Sequence, residues 1–138
     1  MSEQSRAAYP LMDTVGDNLV ASGGRRLADV TLDAVAADAL AAGDIQVSAE
    51  TLAAQADIAE QAGYRALAQN LRRAAELTAV PNEELLKMYE QVRPGRSTYV
   101  ELVRLADRLE GQYAAPITAA FVREAARVYR ARNLLRRV

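Results

Sequence analysis

At 138 residues, with 51 % hydrophobic residues, a net charge of −1 and no cysteine, histidine or tryptophan, the chain has room for one modest core. It has no means of building a disulfide, a cysteine or histidine metal site, or a thiolate or imidazole catalyst. The hydrophobic share comes from 29 alanines against a single phenylalanine, which favours helices packed closely around a thin core that a partner completes.

Residues 1–26 lack a sustained period. Tyr9-Pro10, Gly16 and Gly23-Gly24 punctuate them, so they read as an extension ahead of a folded domain spanning residues 27–138. A short amphipathic element from Met12 to Val20 is expected only when docked. Thr31 is placed to cap a helix over about residues 31–41, with Leu32, Val35, Ala36 and Ala39 on one stripe and Gly43 at its end. Asp44 to Val47 reads as linker. Ser48 caps a second helix carrying Leu52, Ala56 and Ala59, and Gly63 stops it. Leu67, Leu71, Ala74 and Thr78 follow as an amphipathic stripe.

Pro81 closes that helix and starts the next, where Leu85, Met88, Tyr89 and Val92 are expected to share a face. After the loop Arg93-Pro94-Gly95-Arg96-Ser97, Thr98 and Glu101 have capping-box spacing for a helix with Leu102, Leu105, Ala106 and Leu109 inward. Pro116 opens the last helix. Phe121, Val128 and Leu135 recur at seven residues there and are expected in the core. The fold class is all-α: a compact bundle of five or six short helices with an irregular N-terminal extension.

No apolar run approaches the roughly 18 residues that span a bilayer, and no secretory signal is visible, so the expected compartment is the cytosol. Lys87, the only lysine, reads as a solvated cation, and Glu83 and Glu84 as first-turn helix support. Gly23-Gly24-Arg25-Arg26 lacks the strand, lysine and hydroxyl of a phosphate loop. Asp29, Asp33, Asp38 and Asp44 lack calcium-loop spacing. These residues give no catalytic, cofactor-binding or metal site.

Charge is polarised: residues 1–63 carry 10 acidic and 3 basic side chains, residues 64–138 carry 8 and 14. The late arginines, from Arg123 to Arg137, present a basic stripe but no base-reading motif, so nucleic acid is not the expected partner. Arginine forks and six tyrosines fit a protein interface better. Read without reference to any family, the residues indicate a helical adaptor or assembly module.

The run Ser48-Ala49-Glu50-Thr51-Leu52, then Ile58-Ala59-Glu60 with Ala62-Gly63, then Arg73-Ala74-Ala75-Glu76-Leu77-Thr78-Ala79-Val80-Pro81 resembles the small subunit of adenosylcobalamin-dependent diol and glycerol dehydratases. The likeness continues through Arg93-Pro94, Arg96-Ser97-Thr98 and Glu101-Leu102. It closes on Tyr113, Ala115-Pro116-Ile117 and Ala119-Ala120-Phe121-Val122-Arg123-Glu124-Ala125-Ala126. The sequence departs from its relatives at Thr118, where cysteine is common, and at Gly95, where tyrosine is familiar.

The resemblance implies a noncatalytic subunit of a hydro-lyase that converts 1,2-propanediol or a related vicinal diol to an aldehyde and water. A large barrel subunit and a medium cobalamin-enclosing subunit are the implied partners, in a dimer of heterotrimers. Adenosylcobalamin and potassium or another cation belong to the holoenzyme, not to this chain, which alone is expected to be inactive. Tyr9-Pro10-Leu11 is similar to a run in diol dehydratase extensions, which favours a diol over a glycerol dehydratase and suggests a bacterial microcompartment. Arg72, Arg73, Arg93 and Arg96 lie in the most family-like stretches and are the expected partner-interface residues. A glycerol dehydratase subunit and an unrelated helical adaptor stay as alternatives.

Overall fold

The structure is a computed structural model that describes Pro10, Leu11, Asp13, residues 16–36 and residues 47–138. Among these residues six α-helices form: α1 (Leu32–Ala36), α2 (Ala49–Gln61), α3 (Arg65–Leu77), α4 (Asn82–Gln91), α5 (Tyr99–Tyr113) and α6 (Pro116–Ala131). The all-α expectation holds, and none of these helices is long and apolar enough to cross a membrane. The chain divides into two compact units, Met1–Ala75 and Glu76–Val138, with the division inside α3.

The first unit starts irregularly. Short 3₁₀ turns at Gly16–Asn18 and Leu27–Asp29 flank an isolated antiparallel bridge between Val20 and Arg26. The turn closes because Gly24 takes φ +84°, a left-handed conformation that costs glycine little. Ala21 N–H then donates to Arg25 C=O at 2.7 Å, and Leu27 N–H to Leu19 C=O at 2.8 Å. Leu11, Leu19 and Ala21 are buried, so burial begins ahead of Leu27, where the sequence reading starts the ordered core. Tyr9, Met12 and Val15 lie outside the described residues.

Thr31 caps α1 as expected, its Oγ1 accepting from Ala34 N–H at 3.2 Å. Leu32 and Val35 are nonetheless exposed, and the expected continuation through Ala39 to Gly43 lies outside the described residues. Ser48 caps α2 by accepting from Thr51 N–H. Its far end closes with Gly63 at φ +88°: Tyr64 N–H reaches Ala59 C=O at 2.8 Å and Gly63 N–H reaches Glu60 C=O at 3.0 Å. That paired closure satisfies two carbonyls the helix itself leaves open. The core of this unit is Ala56, Ala59 and Ala68 with Leu71 against them. Of the stripe expected from Leu67, Leu71 packs inward, whereas Leu67 is half exposed, Ala74 and Thr78 are exposed, and Ala68 is fully buried. Alanine faces let helices approach closely, which leaves the bulkier Leu67 on the flank.

The second unit holds the larger core: Val80, Met88, Leu102, Leu105, Ala106, Leu109, Ala115, Ala119, Val122 and Ala126. Pro81 stands at the N-cap of α4 and Pro116 at the first turn of α6, where a missing N–H costs nothing. The Thr98/Glu101 capping box forms reciprocally, Thr98 N–H donating to Glu101 Oε2 at 2.8 Å and Glu101 N–H to Thr98 Oγ1 at 3.3 Å. α6 ends in a left-handed Asn133, with Leu134 N–H on Tyr129 C=O at 2.8 Å.

Three expectations are corrected here. Tyr89 is exposed instead of sharing the inward face of Met88. Tyr99, Tyr113 and Tyr129 pack against the core, so half of the six tyrosines are internal anchors instead of interface residues. Phe121 is not core: it is 51 % exposed and Val128 is 37 % exposed. The inward stripe of α6 is Ala115, Ala119, Val122 and Ala126, opposite Leu102, Leu105 and Leu109, whose volume leaves room only for small partners. Each seven-residue step drifts by about 20°. Leu135, moreover, lies beyond the end of α6 and reaches the core from the tail.

Candidate partner-contact surfaces

The four arginines expected at an interface fall two in each unit. In the first, Arg72 on α3 reaches back to α2 and grips two carboxylates, Asp57 at 3.2 Å and Glu60 more closely. The hydrogen bond and charge of Arg72 hold the Glu60 carboxyl below the usual carboxylate range, and the same pairs raise the Arg72 guanidinium further above its ordinary value. This fork ties α2 to α3 over the alanine contact. Arg73 bonds the side chain of Asn70 one turn earlier.

In the second unit, Arg93 and Arg96 converge on one carboxylate. Glu90 Oε2 accepts from Arg93 at 3.0 Å and Glu90 Oε1 meets Arg96 Nε at 3.1 Å. Two cations share one anion, so the loop keeps a surplus positive charge. All three side chains are exposed, and exposed pairs of this kind add little stability. Gly95 takes φ +79°, a left-handed conformation that costs glycine little, and directs its N–H to Leu134 C=O at 2.7 Å.

That loop is clasped by the C-terminal tail. Arg136 N–H donates to Ser97 C=O at 2.9 Å, and Arg136 Nη2 donates to Glu101 Oε1 at 2.7 Å. Glu101 thus uses one oxygen for the helix cap and the other for the tail. The Thr98 backbone bond first, and the Arg136 charge second, hold its carboxyl below the usual range. Ser97 Oγ donates to Gln91 C=O at 2.8 Å, Tyr129 OH donates to Val92 C=O at 2.7 Å, and the Arg130 guanidinium lies 4.3 Å from the Tyr99 ring centre. Arg93 and Arg96 therefore project from a loop held from both sides.

Sequence reasoning missed Glu76, Glu90, Glu101 as a tail anchor, and Arg136. A signal for Glu76 was present. Ala115 stands at the N-cap of α6 without a side-chain acceptor, so the first N–H groups of that helix needed one from elsewhere. Glu76 supplies it, accepting from Ile117 N–H at 2.9 Å, Thr118 N–H at 2.7 Å and Thr118 Oγ1 at 2.7 Å. The departure at Thr118 is thus a buried hydroxyl with a partner. Lys87 pairs with Glu83 at 3.2 Å and Glu84 at 3.5 Å, the surface support its position implied. Among the described residues no three acidic side chains converge as a metal site.

Large apolar side chains stand outside both cores. Leu32, Tyr64 and Leu67 do so in the first unit, and Leu86, Tyr89, Val100 and Phe121 in the second. Leu86, Tyr89 and Arg93 share one outward stripe running from α4 into the loop, at i, i+3 and i+7.

A family described as "Dehydratase small subunit" matches residues 4–136. The propanediol dehydratase small subunits of Citrobacter freundii and of Salmonella typhimurium are each 45 % identical to the chain over 128 residues, covering 93 % of it and 74 % of the relative.

Proposed function

The chain belongs to the dehydratase small-subunit family, and on that footing we propose that it is the noncatalytic small subunit of a vicinal-diol dehydratase, a hydro-lyase complex. The observation that carries this reading is the 45 % identity, over 93 % of the chain, to two propanediol dehydratase small subunits. Their names also favour 1,2-propanediol over glycerol as the substrate of the complex. The exposed stripe of Leu86, Tyr89 and Arg93 fits a chain whose surface is finished by other subunits.

The partners are a large barrel subunit and a medium cobalamin-enclosing subunit, in a dimer of heterotrimers. The support for this arrangement is the resemblance of residues 73–81 and 119–126 to small subunits of such assemblies. Adenosylcobalamin and potassium are held by those partners. A chain without histidine or cysteine offers no imidazole or thiolate to a cobalt ion, so no step of the reaction is assigned to it. Residues 1–26 are proposed to act in assembly behaviour or placement in a microcompartment, on the likeness of Tyr9-Pro10-Leu11 to diol dehydratase extensions. Deleting them is expected to preserve turnover while raising solubility or dispersing the enzyme in cells. Unchanged solubility and localisation would remove the targeting role.

Co-expression of the full chain with the large and medium subunits tests the main reading. The three are expected to purify together and to turn 1,2-propanediol into an aldehyde with adenosylcobalamin and potassium, while the chain alone turns over nothing. Equal assembly and turnover by the large and medium subunits without this chain would overturn it.

A further inference from the structure

The loop between α4 and α5 has ends fixed by helices and a middle fastened by the C-terminal tail. At one end Tyr129 OH holds Val92 C=O; at the other Thr98 and Glu101 cap α5 while Arg130 lies over the Tyr99 ring. Between these ends the loop makes a turn of its own, Arg96 N–H on Arg93 C=O at 3.2 Å, and a side-chain tie, Ser97 Oγ on Gln91 C=O at 2.8 Å. The backbones of Gly95 and Ser97 pair with the tail instead. Gly95 N–H donates to Leu134 C=O at 2.7 Å, and Ser97 C=O accepts from Arg136 N–H at 2.9 Å.

The tail is shaped to reach that middle. α6 ends at Ala131, Asn133 at φ +59° turns the chain, and Leu134 N–H closes on Tyr129 C=O at 2.8 Å. Asparagine visits this left-handed conformation more readily than most residues do. Leu135, between the two backbone bonds, packs against the core, and the Arg136 guanidinium meets Glu101 at 2.7 Å. The hold is light: two backbone bonds, a half-buried leucine and an ion pair between exposed side chains. Chain ends held this way open at far lower cost than the helices behind them. Arg93 and Arg96 flank Gly95 and converge on Glu90 at 3.0 and 3.1 Å, so the place of both guanidinium groups follows the shape of the loop's middle.

We propose that Leu134–Arg136 is a releasable strap that sets the shape of the arginine loop, and that Arg93 and Arg96 are presented to partner subunits only while it is fastened. The C-terminus is thereby a control point: removing or displacing the tail disarms the loop and leaves the helices intact. The binding half of this inference rests on the proposed function, and the test separates the two. Amide exchange is followed in the full chain, and retention of the large and medium subunits in the co-expressed complex. Arg136→Pro removes the N–H and the guanidinium at one position outside every helix; deletion of residues 134–138 removes the whole strap. Both are expected to speed exchange of the Gly95 amide about tenfold or more, with the Leu105 and Leu109 amides of α5 unchanged. Both are also expected to lower retention as far as Arg93→Ala with Arg96→Ala does. Unchanged Gly95 exchange in both variants overturns the strap, and so does equal acceleration at Leu105 and Leu109, which makes the tail a plain part of the fold. A freed Gly95 with undiminished retention overturns the link to binding. Wild-type chain that retains neither subunit overturns the proposed function and the binding half, and Gly95 exchange then decides the strap by itself.

Discussion

Glu76 and Thr118 are 42 residues apart and meet twice: one carboxylate oxygen accepts both the backbone N–H and the hydroxyl of Thr118, each at 2.7 Å. The other oxygen takes Ile117 N–H. A carboxylate at a helix start also suits the helix dipole. Through this contact the last turn of α3 fixes where α6 begins, and with it the pairing of α5 and α6. Glu76→Ala leaves three donors without their acceptor and is expected to destabilise the chain by about 1–3 kcal/mol. Thr118→Val, which removes only the hydroxyl, should cost about 1 kcal/mol. Urea denaturation measures both, and equal stability of Glu76→Ala and the parent would refute the clamp.

Acid should loosen the clasp around residues 93–101 and the fork on α2. Glu101 and Glu60 both have folded-state values below the ordinary glutamate value of about 4.3. The unfolded chain therefore binds more protons in the window beneath that value, and stability rises with pH there. Their contribution is complete above the ordinary value and is lost as pH falls through the lowered folded values. Melting temperature is expected to drop between about pH 5 and pH 3, less steeply in Glu101→Gln and least in a double variant with Glu60→Gln. Parallel curves for all three chains would show that these carboxylates do not govern the acid limb.

The arginine set separates internal from external roles. Arg72 is spent on Asp57 and Glu60 inside its own unit, while Arg93 and Arg96 share Glu90 in an exposed loop. Replacing Arg72, Arg73, Arg93 and Arg96 together by alanine is expected to keep the helical circular-dichroism signal and weaken large-subunit binding. Within the set, Arg93→Ala with Arg96→Ala should account for most of the binding loss, and Arg72→Ala for most of any fall in melting temperature. Full binding by the fourfold variant rules out an interface role for the group.

Phe121→Ala discriminates between a core and a surface phenylalanine. Truncating a buried one typically costs about 3–5 kcal/mol, whereas a side chain left half exposed should cost about 1 kcal/mol or less. Thermal melting of the full chain reads the difference, and a loss of the larger size would return Phe121 to the core.

The sequence by itself determined the helical class and most helix ends. Those rest on local chemistry: Ser48 and Thr98 as caps, Gly63 as a left-handed stop, Pro81 and Pro116 at helix starts. It also determined the inward face of α5, because Leu102, Leu105, Ala106 and Leu109 leave no second apolar face to choose. Of the heptad, Leu135 does pack against the core, from beyond the helix. The spacing misled for Phe121 and Val128, because α6 has two apolar stripes and periodicity cannot say which one faces in. Only the tertiary structure decided that, through the volume already filled by the leucines of α5. It alone also decided the long-range polar contacts, Glu76 with Thr118 and Glu101 with Arg136. Such pairs depend on where two distant segments are brought together, and no spacing along the chain encodes that distance.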